Sequence, residues 1–317
     1  RDPHHSEVYD LGLFHNSYES AGAGIAKDEP KKKPFFRFWE IVWRKLGKLV
    51  GVNLVYTLFL LPGLIGIISL FTMKSEKLSY LMAGFCLLVQ AILIGPSMAG
   101  MTKVLRNFSQ ERHAYVWYDY ITALKRNFKQ SVVVGVFDSV MLVCVACGVY
   151  VYPQLISSMN NNLIYVPFVL MFTVALTVLM MNYYAFLMIV STDLSLRAIV
   201  KNSFALTCIA LKKNILTIVL SALVIVVFAF LCYVNFYFLF LLPFLPMSFL
   251  WLMVCFNCYP VIQKLVINPY YEQRGEENPE LRYTSPSNPE ESIFVDQGGK
   301  EKPIEPKKKP KRGKTIS

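Results

Sequence analysis

Apolar residues in this chain gather into runs too long for an ordinary soluble core helix, each bounded by a short polar or charged stretch. Crossing the roughly 30 Å hydrocarbon layer of a bilayer takes about 20 residues of helix. Runs of that order cover Leu49 to Phe71, Leu78 to Met98, Ser131 to Tyr152, Leu163 to Val190, Ile215 to Tyr233 and Phe236 to Ile262. The pattern therefore predicts an all-α membrane protein with six transmembrane helices. Only Val234 and Asn235 separate the last two runs, and Pro243 and Pro246 interrupt the sixth, so an alternative reading makes one of that pair re-entrant.

Three of the polar stretches carry a helical period of their own. Each outward-going run is preceded by an amphipathic segment ending in a basic pair: EIVWRKLGKL with Arg44 and Lys45, ITALKRNFKQ with Lys125 and Arg126, and CIALKKNILT with Lys212 and Lys213. Apolar residues recur at helix spacing before the second and third pairs, as in Trp117, Tyr120, Ile121, Leu124 and Phe128, and in Leu196, Val200, Phe204, Cys208 and Leu211. Such segments suit helices lying in the membrane interface. The pairs recur at 81 residues (125 minus 44) and 87 residues (212 minus 125). This predicts three helical hairpins, each preceded by a cytoplasmic interfacial helix and related by an axis along the membrane normal.

Charge placement orients the spans. Arg37, Arg44, Lys45 and Lys48, then Lys103, Arg106, Arg112, Lys125, Arg126 and Lys129, then Arg197, Lys201, Lys212 and Lys213, and finally Lys264 fall on one side, against Lys74 and Lys77 on the other. The positive-inside bias thus predicts a multi-pass inner-membrane protein with both termini cytoplasmic. The expected organisation is a flexible cytoplasmic segment over residues 1–34, a six-helix domain over 35–267, and a disordered basic tail over 268–317. That tail is rich in Pro, Glu, Ser and Lys, too polar to offset its ordering entropy. No short apolar stretch with a small-residue cleavage site precedes Phe35, so the first span is expected to act as an uncleaved anchor.

Composition agrees: 55% of residues are hydrophobic and 17% charged, with a mean hydropathy of +0.43, whereas soluble domains carry about 25% charged residues. The net charge of +11 sits at the ends of apolar runs, which points to the bilayer and its anionic inner-leaflet lipids as partners and away from nucleic acid. The candidate lipid contacts are Arg44, Lys45, Lys125, Arg126, Lys212 and Lys213, joined by the clusters at Lys31 to Lys33 and Lys307 to Lys314.

Several stretches resemble the YesL family of bacterial membrane proteins: LGLF from Leu11, GIAKDEPKKKPFFRFWEIVWR from Gly24, and above all GPSMAGMTKVLRNFSQERHAYVWYDY from Gly95, followed by LKRNFKQS. The resemblance runs from about Leu11 to Val266. It carries over no catalytic residue. It implies a multi-pass plasma-membrane protein often encoded beside sugar transporters and two-component regulators, hence an accessory part in oligosaccharide uptake or its sensing, with a sugar-transporter permease or a sensor kinase as partner.

Within the spans Asp138 is the one acid well inside an apolar run, and a buried acid in lipid is costly and functional by default. Asn53 and Asn257 fall at a similar distance from the flanking basic residues, so the three are expected to form one polar layer, either a binding surface of an ion-coupled transporter or a set of packing contacts. Gln90 and Asn182 lie deeper. Two C-x-x-C pairs, Cys144 with Cys147 and Cys255 with Cys258, differ in depth and read as small apolar residues rather than a metal or redox site. Pro62 and Pro96 sit among glycines, which suits close helix packing. Tyr115, Trp117, Tyr118 and Tyr120 beside Arg112 and His113 read as an interfacial aromatic belt. The sequence contains no H-E-x-x-H, G-x-S-x-G or G-x-x-x-x-G-K-[ST] motif. The expectation is a non-enzymatic protein with no cofactor.

Overall fold

The computed structural model describes residues 33–159, 162–276 and 278–282. The clusters at Lys31 to Lys33 and Lys307 to Lys314 and the LGLF stretch lie largely or wholly outside them, with only Lys33 described. Among the described residues all regular structure is helical. Short helices α1 (Pro34–Arg44), α4 (Val116–Arg126) and α7 (Leu196–Ile209) alternate with pairs of long ones: α2 (Leu46–Thr72) and α3 (Glu76–Ser109), α5 (Phe128–Met159) and α6 (Tyr165–Ser191), and α8 (Leu211–Val234) and α9 (Pro246–Ile262). A π-helical turn over Gln263–Ile267 carries α9 on into α10 (Asn268–Glu272), past the boundary that composition sets near residue 267. These helices belong to one compact unit, Lys33–Glu276. Outside it, α11 (Pro279–Arg282) is opened by Asn278, whose side-chain oxygen accepts the Glu280 N–H at 2.9 Å.

Among the described residues six helices are long and apolar enough to cross a membrane, as their hydropathy predicts. The chain is an all-helical protein with the build of a multi-pass membrane protein. One boundary differs from the sequence reading. The sixth long helix begins at Pro246, not Phe236, and Phe236–Leu241 forms a separate 3₁₀ turn. Proline has no N–H to donate and fixes a helical φ, so Pro246 fits the first helical position where it would have broken the interior.

The three short helices join their long partners through corners of one conformation. Lys45 (φ −113°, ψ 15°), Asn127 (−102°, 12°) and Ala210 (−98°, 27°) each form a single-residue break. They recur at 82 and 83 residues (127 minus 45, 210 minus 127), a tighter period than that of the basic pairs. The first two basic pairs lie at the end of the short helix or on the corner, whereas Lys212 and Lys213 have moved onto the first turn of α8. A threefold repeat of short helix, long helix and long helix is thus present in the backbone.

Burial is concentrated at the end of the bundle where the basic residues lie. On α3 it covers most of Gly95 to Ser109, on α6 Met180 and Tyr183 to Ile189, and on α9 Leu252 to Cys255 and Cys258 to Ile262, apart from Pro260. On α8 only Asn214 and Thr217 are buried. Close backbone approach sets two contacts. Gly63 follows Pro62 and donates its N–H to Gln90 Oε1 at 3.1 Å, while Gly95 of α3, next to Pro96, lies against Ser131 and Gly135 of α5. Both prolines therefore sit where helices touch, as small residues beside them allow.

Candidate functional site

The first corner is closed by an ionic latch. α3 ends in a tight turn in which Glu111 N–H donates to Phe108 O at 3.0 Å and Arg112 N–H to Asn107 O at 2.9 Å. This is the helix-ending motif whose left-handed position glycine usually fills, yet the residue there is Glu111, at φ 59°. Its carboxylate accepts from Arg37 Nε and Arg44 Nη2 of α1, both at 2.8 Å. Beside it Lys45 Nζ donates to Arg112 O at 2.9 Å and stands 4.6 Å from the centre of the Phe108 ring. Partial burial pushes the Glu111 carboxyl up, but the hydrogen bonds and charges of Arg44 and Arg37 outweigh it and leave it below its ordinary value. Burial, helped by Arg44 and Lys48, pushes the Lys45 ammonium down to about 8, with Glu111 opposing.

A second latch repeats the first in a looser form. Arg126 Nη2 donates to Asp193 Oδ1 at 3.2 Å, with side chains 74% and 94% exposed. Gln130 Nε2 reaches Leu194 O at 3.1 Å. Arg44 to Glu111 and Arg126 to Asp193 span the same 67 residues. In each case the acid lies two positions beyond the end of the returning helix. Counting basic residues alone overlooks both acids; the signal that finds them is the equal spacing.

The three polar residues expected to form one layer are placed in three separate pairings. Asp138 Oδ1 accepts from Asn182 Nδ2 of α6 at 2.8 Å. Asn53 of α2 is buried, donates to Leu242 O at 2.9 Å and accepts the Ser248 N–H at 2.9 Å. Asn257 Nδ2 reaches Thr217 Oγ1 of α8 at 3.2 Å. None of the three is hydrogen-bonded to another of them. Near the Asn257 pair, Tyr184 OH donates to Asn214 Oδ1 at 2.6 Å and Asn214 Nδ2 to Thr207 O at 3.0 Å, which ties α6, α7 and α8 together. Trp251 Nε1 donates to Thr102 Oγ1 at 2.7 Å, and the Arg106 guanidinium lies 5.1 Å from the centre of the Tyr259 ring.

Cys144 and Cys147 are exposed on α5, whereas Cys255 and Cys258 are buried on α9, so the two pairs stand in different surroundings. Among the described residues no three His, Cys, Asp or Glu side chains are placed to hold a metal ion. Of the aromatic belt, Tyr115, Trp117 and Tyr118 are exposed, while Tyr120 is buried against Gly100 and stacks on Phe59 with ring centres 5.9 Å apart. α1 presents a similar exposed stripe in Phe35, Trp39 and Trp43.

Residues 49–149 match the family model described as "Protein of unknown function, DUF624". The match takes in the first hairpin, α4 and most of α5, including the Gly95 contact and the Glu111 turn. No curated protein matches the chain. No solved structure matches it.

Proposed function

We propose that this protein is a non-enzymatic accessory component of a bacterial plasma membrane, associated with oligosaccharide transport or its regulation. In this reading both termini are cytoplasmic, as the basic bias indicates, and the working surface is the cytoplasmic end formed by α1, α4 and α7. The observation that carries it is the concentration of burial at that end, together with the Glu111 latch that ties α1 to the end of α3. The likeness to the YesL family supplies the link to sugar uptake, with a transporter permease or a sensor kinase as partner. Crosslinking in the native membrane, followed by mild-detergent purification and mass spectrometry, tests it. A permease or sensor kinase at near-stoichiometric yield is the expected result, and a homo-oligomer without either would overturn it.

A second reading, an ion-coupled transporter or channel, rests on the Asp138–Asn182 pair inside the spans. Asp138→Asn separates the two readings. Loss of a transport-linked phenotype at normal abundance favours the transporter, and loss of the protein itself marks Asp138 as a packing residue.

A further inference from the structure

We infer that the third corner, at Lys212 and Lys213, binds the phosphate of anionic phospholipid headgroups, which supply the counter-charge that the protein itself provides at the first two corners. The argument starts from the internal repeat, because the first two units show what an equivalent corner looks like when it is satisfied from within. Arg44 and Arg126 each find a carboxylate 67 residues on. Lys212 and Lys213 find none. Both are exposed, and among the described residues neither side chain forms an ion pair or hydrogen bond. Their shift onto the first turn of α8 carries them past the position from which Arg44 and Arg126 reach their acids.

The sequence leaves the third unit without charge of the other sign. No Asp or Glu occurs between Asp193 and Glu272, while Arg197, Lys201, Lys212, Lys213 and Lys264 all fall in that interval. Asp193 is taken by Arg126, and Glu272 and Glu276, which follow the returning helix, form no ion pair among the described residues. A second observation concerns what leads up to the lysines. On α7 the exposed positions Val200, Phe204 and Cys208 recur every four residues, and Ile209 and Leu211 extend this apolar face to the α8 corner. An amphipathic helix so arranged lies in the interface with its apolar face toward acyl chains. The two lysines are thereby held at headgroup level, where ammonium groups meet phosphate oxygens. The inference needs the chain to be in a bilayer and stands whether or not a transporter partner exists.

The test uses the full chain in phosphatidylcholine vesicles, with spin-labelled phosphatidylglycerol or spin-labelled phosphatidylcholine as probe. The motionally restricted fraction of each label reports its association with the protein. The wild type is expected to prefer phosphatidylglycerol, and Lys212→Gln with Lys213→Gln is expected to lower that preference by roughly 25-fold, at about 1 kcal/mol (about fivefold) per basic residue near an anionic surface. Lys212→Arg with Lys213→Arg should restore it. Arg126→Gln with Asp193→Asn, which removes the second latch at constant net charge, should leave it unchanged. Equal preference in the wild type and the double glutamine variant overturns the inference, as does an equal loss in the latch variant. Displacement of the label by millimolar inorganic phosphate would identify a free-anion site in place of a headgroup site and overturn it likewise. Neither lysine side chain bonds to any other described residue, so the double variant retains the fold in which the comparison is made.

Discussion

The side-chain oxygen of Asn53 accepts the backbone N–H of Ser248 at 2.9 Å, across 195 residues of chain. Ser248 is the third residue of α9, the position whose N–H a capping side chain ordinarily satisfies. The preceding Leu245 has no side chain able to do so. Asn53 thus caps α9 from a different helix and, with its amide nitrogen, also satisfies the Leu242 carbonyl. Asn53→Ala removes both bonds from a buried site. The expected cost is about 2–4 kcal/mol, a lost cap plus an unpaired carbonyl. Ser248→Ala, which keeps the N–H, should cost less than about 1 kcal/mol, and thermal unfolding in detergent compares the two.

The same bond fixes the depth of the last turn. Asn53 is seven residues beyond Leu46, about 10 Å along α2 at about 1.5 Å per residue, whereas α2 continues to Thr72. A cysteine at Leu242 is therefore expected to resist membrane-impermeant maleimide from both faces, and one at Lys74, between α2 and α3, to react from the far face. The assay needs Cys144, Cys147, Cys208 and Cys232 replaced by serine, since these are the cysteines that are not buried. Rapid labelling at Leu242→Cys from the far face would place the turn outside the bilayer and contradict this geometry.

Glu111 separates a backbone effect from a side-chain effect. Glu111→Gly loses the carboxylate and suits the left-handed turn, while Glu111→Ala loses the carboxylate and keeps the strained backbone. The glycine variant should be the more stable by about 1 kcal/mol. Both should fall below the wild type, by about 1 kcal/mol or somewhat more, because two half-exposed arginines are released. Asp193→Asn should change unfolding by less than about 0.5 kcal/mol, since that pair is almost fully solvated.

The latch gives stability a pH dependence at both ends of the scale. The folded Glu111 carboxyl lies below its ordinary value, so its contribution is complete at neutral pH and fades as acid carries the pH through and below the usual carboxylate range. Lys45 acts in the same sense, over a higher pH window. Its folded value of about 8 lies below the ordinary 10.5, so between these two values the unfolded chain binds more protons and folding gains stability as pH rises. Unfolding midpoints measured across that alkaline window should rise in the wild type relative to Lys45→Met.

Glycine substitutions grade the helix contacts. A Cβ at Gly135 would stand 2.5 Å from the Gly95 nitrogen, and one at Gly95 would overlap the Ser131 carbonyl. Gly95→Ala and Gly135→Ala are both expected to abolish stable accumulation. Gly47→Ala and Gly84→Ala meet nothing within 4 Å and should accumulate normally, as quantitative immunoblotting of membranes would show.

The six apolar helices and the three short amphipathic ones were legible in the sequence because hydrophobic runs and helical period are local properties. The repeat was legible only approximately. Basic pairs mark topology, and the third pair has drifted past the corner, so the exact period appears only in the dihedrals of Lys45, Asn127 and Ala210. The partners of Asp138, Asn53 and Asn257 were not legible, since a depth counted along one helix says nothing of which neighbour a side chain meets. Asn53 was singled out as a polar residue inside a span, yet its role as the cap of a helix far away in sequence depends on the late start of α9, which the apolar run from Phe236 conceals. Glu111 and Asp193 required pairing acids with bases across a whole hairpin, and no local pattern announces that.

The meeting of Gly95 with Gly135 has a mechanical side. Where two helices touch backbone to backbone, no rotamer is available to take up a change in their relation. The first and second hairpins can alter their mutual angle at that place only by turning as rigid bodies, so the contact acts as a fulcrum. With the basic end held by the Glu111 and Asp193 latches, a small rotation there is magnified along the free lengths of α2, α3, α5 and α6. The thickness of the surrounding bilayer therefore has its greatest leverage on this molecule at the end remote from the latches.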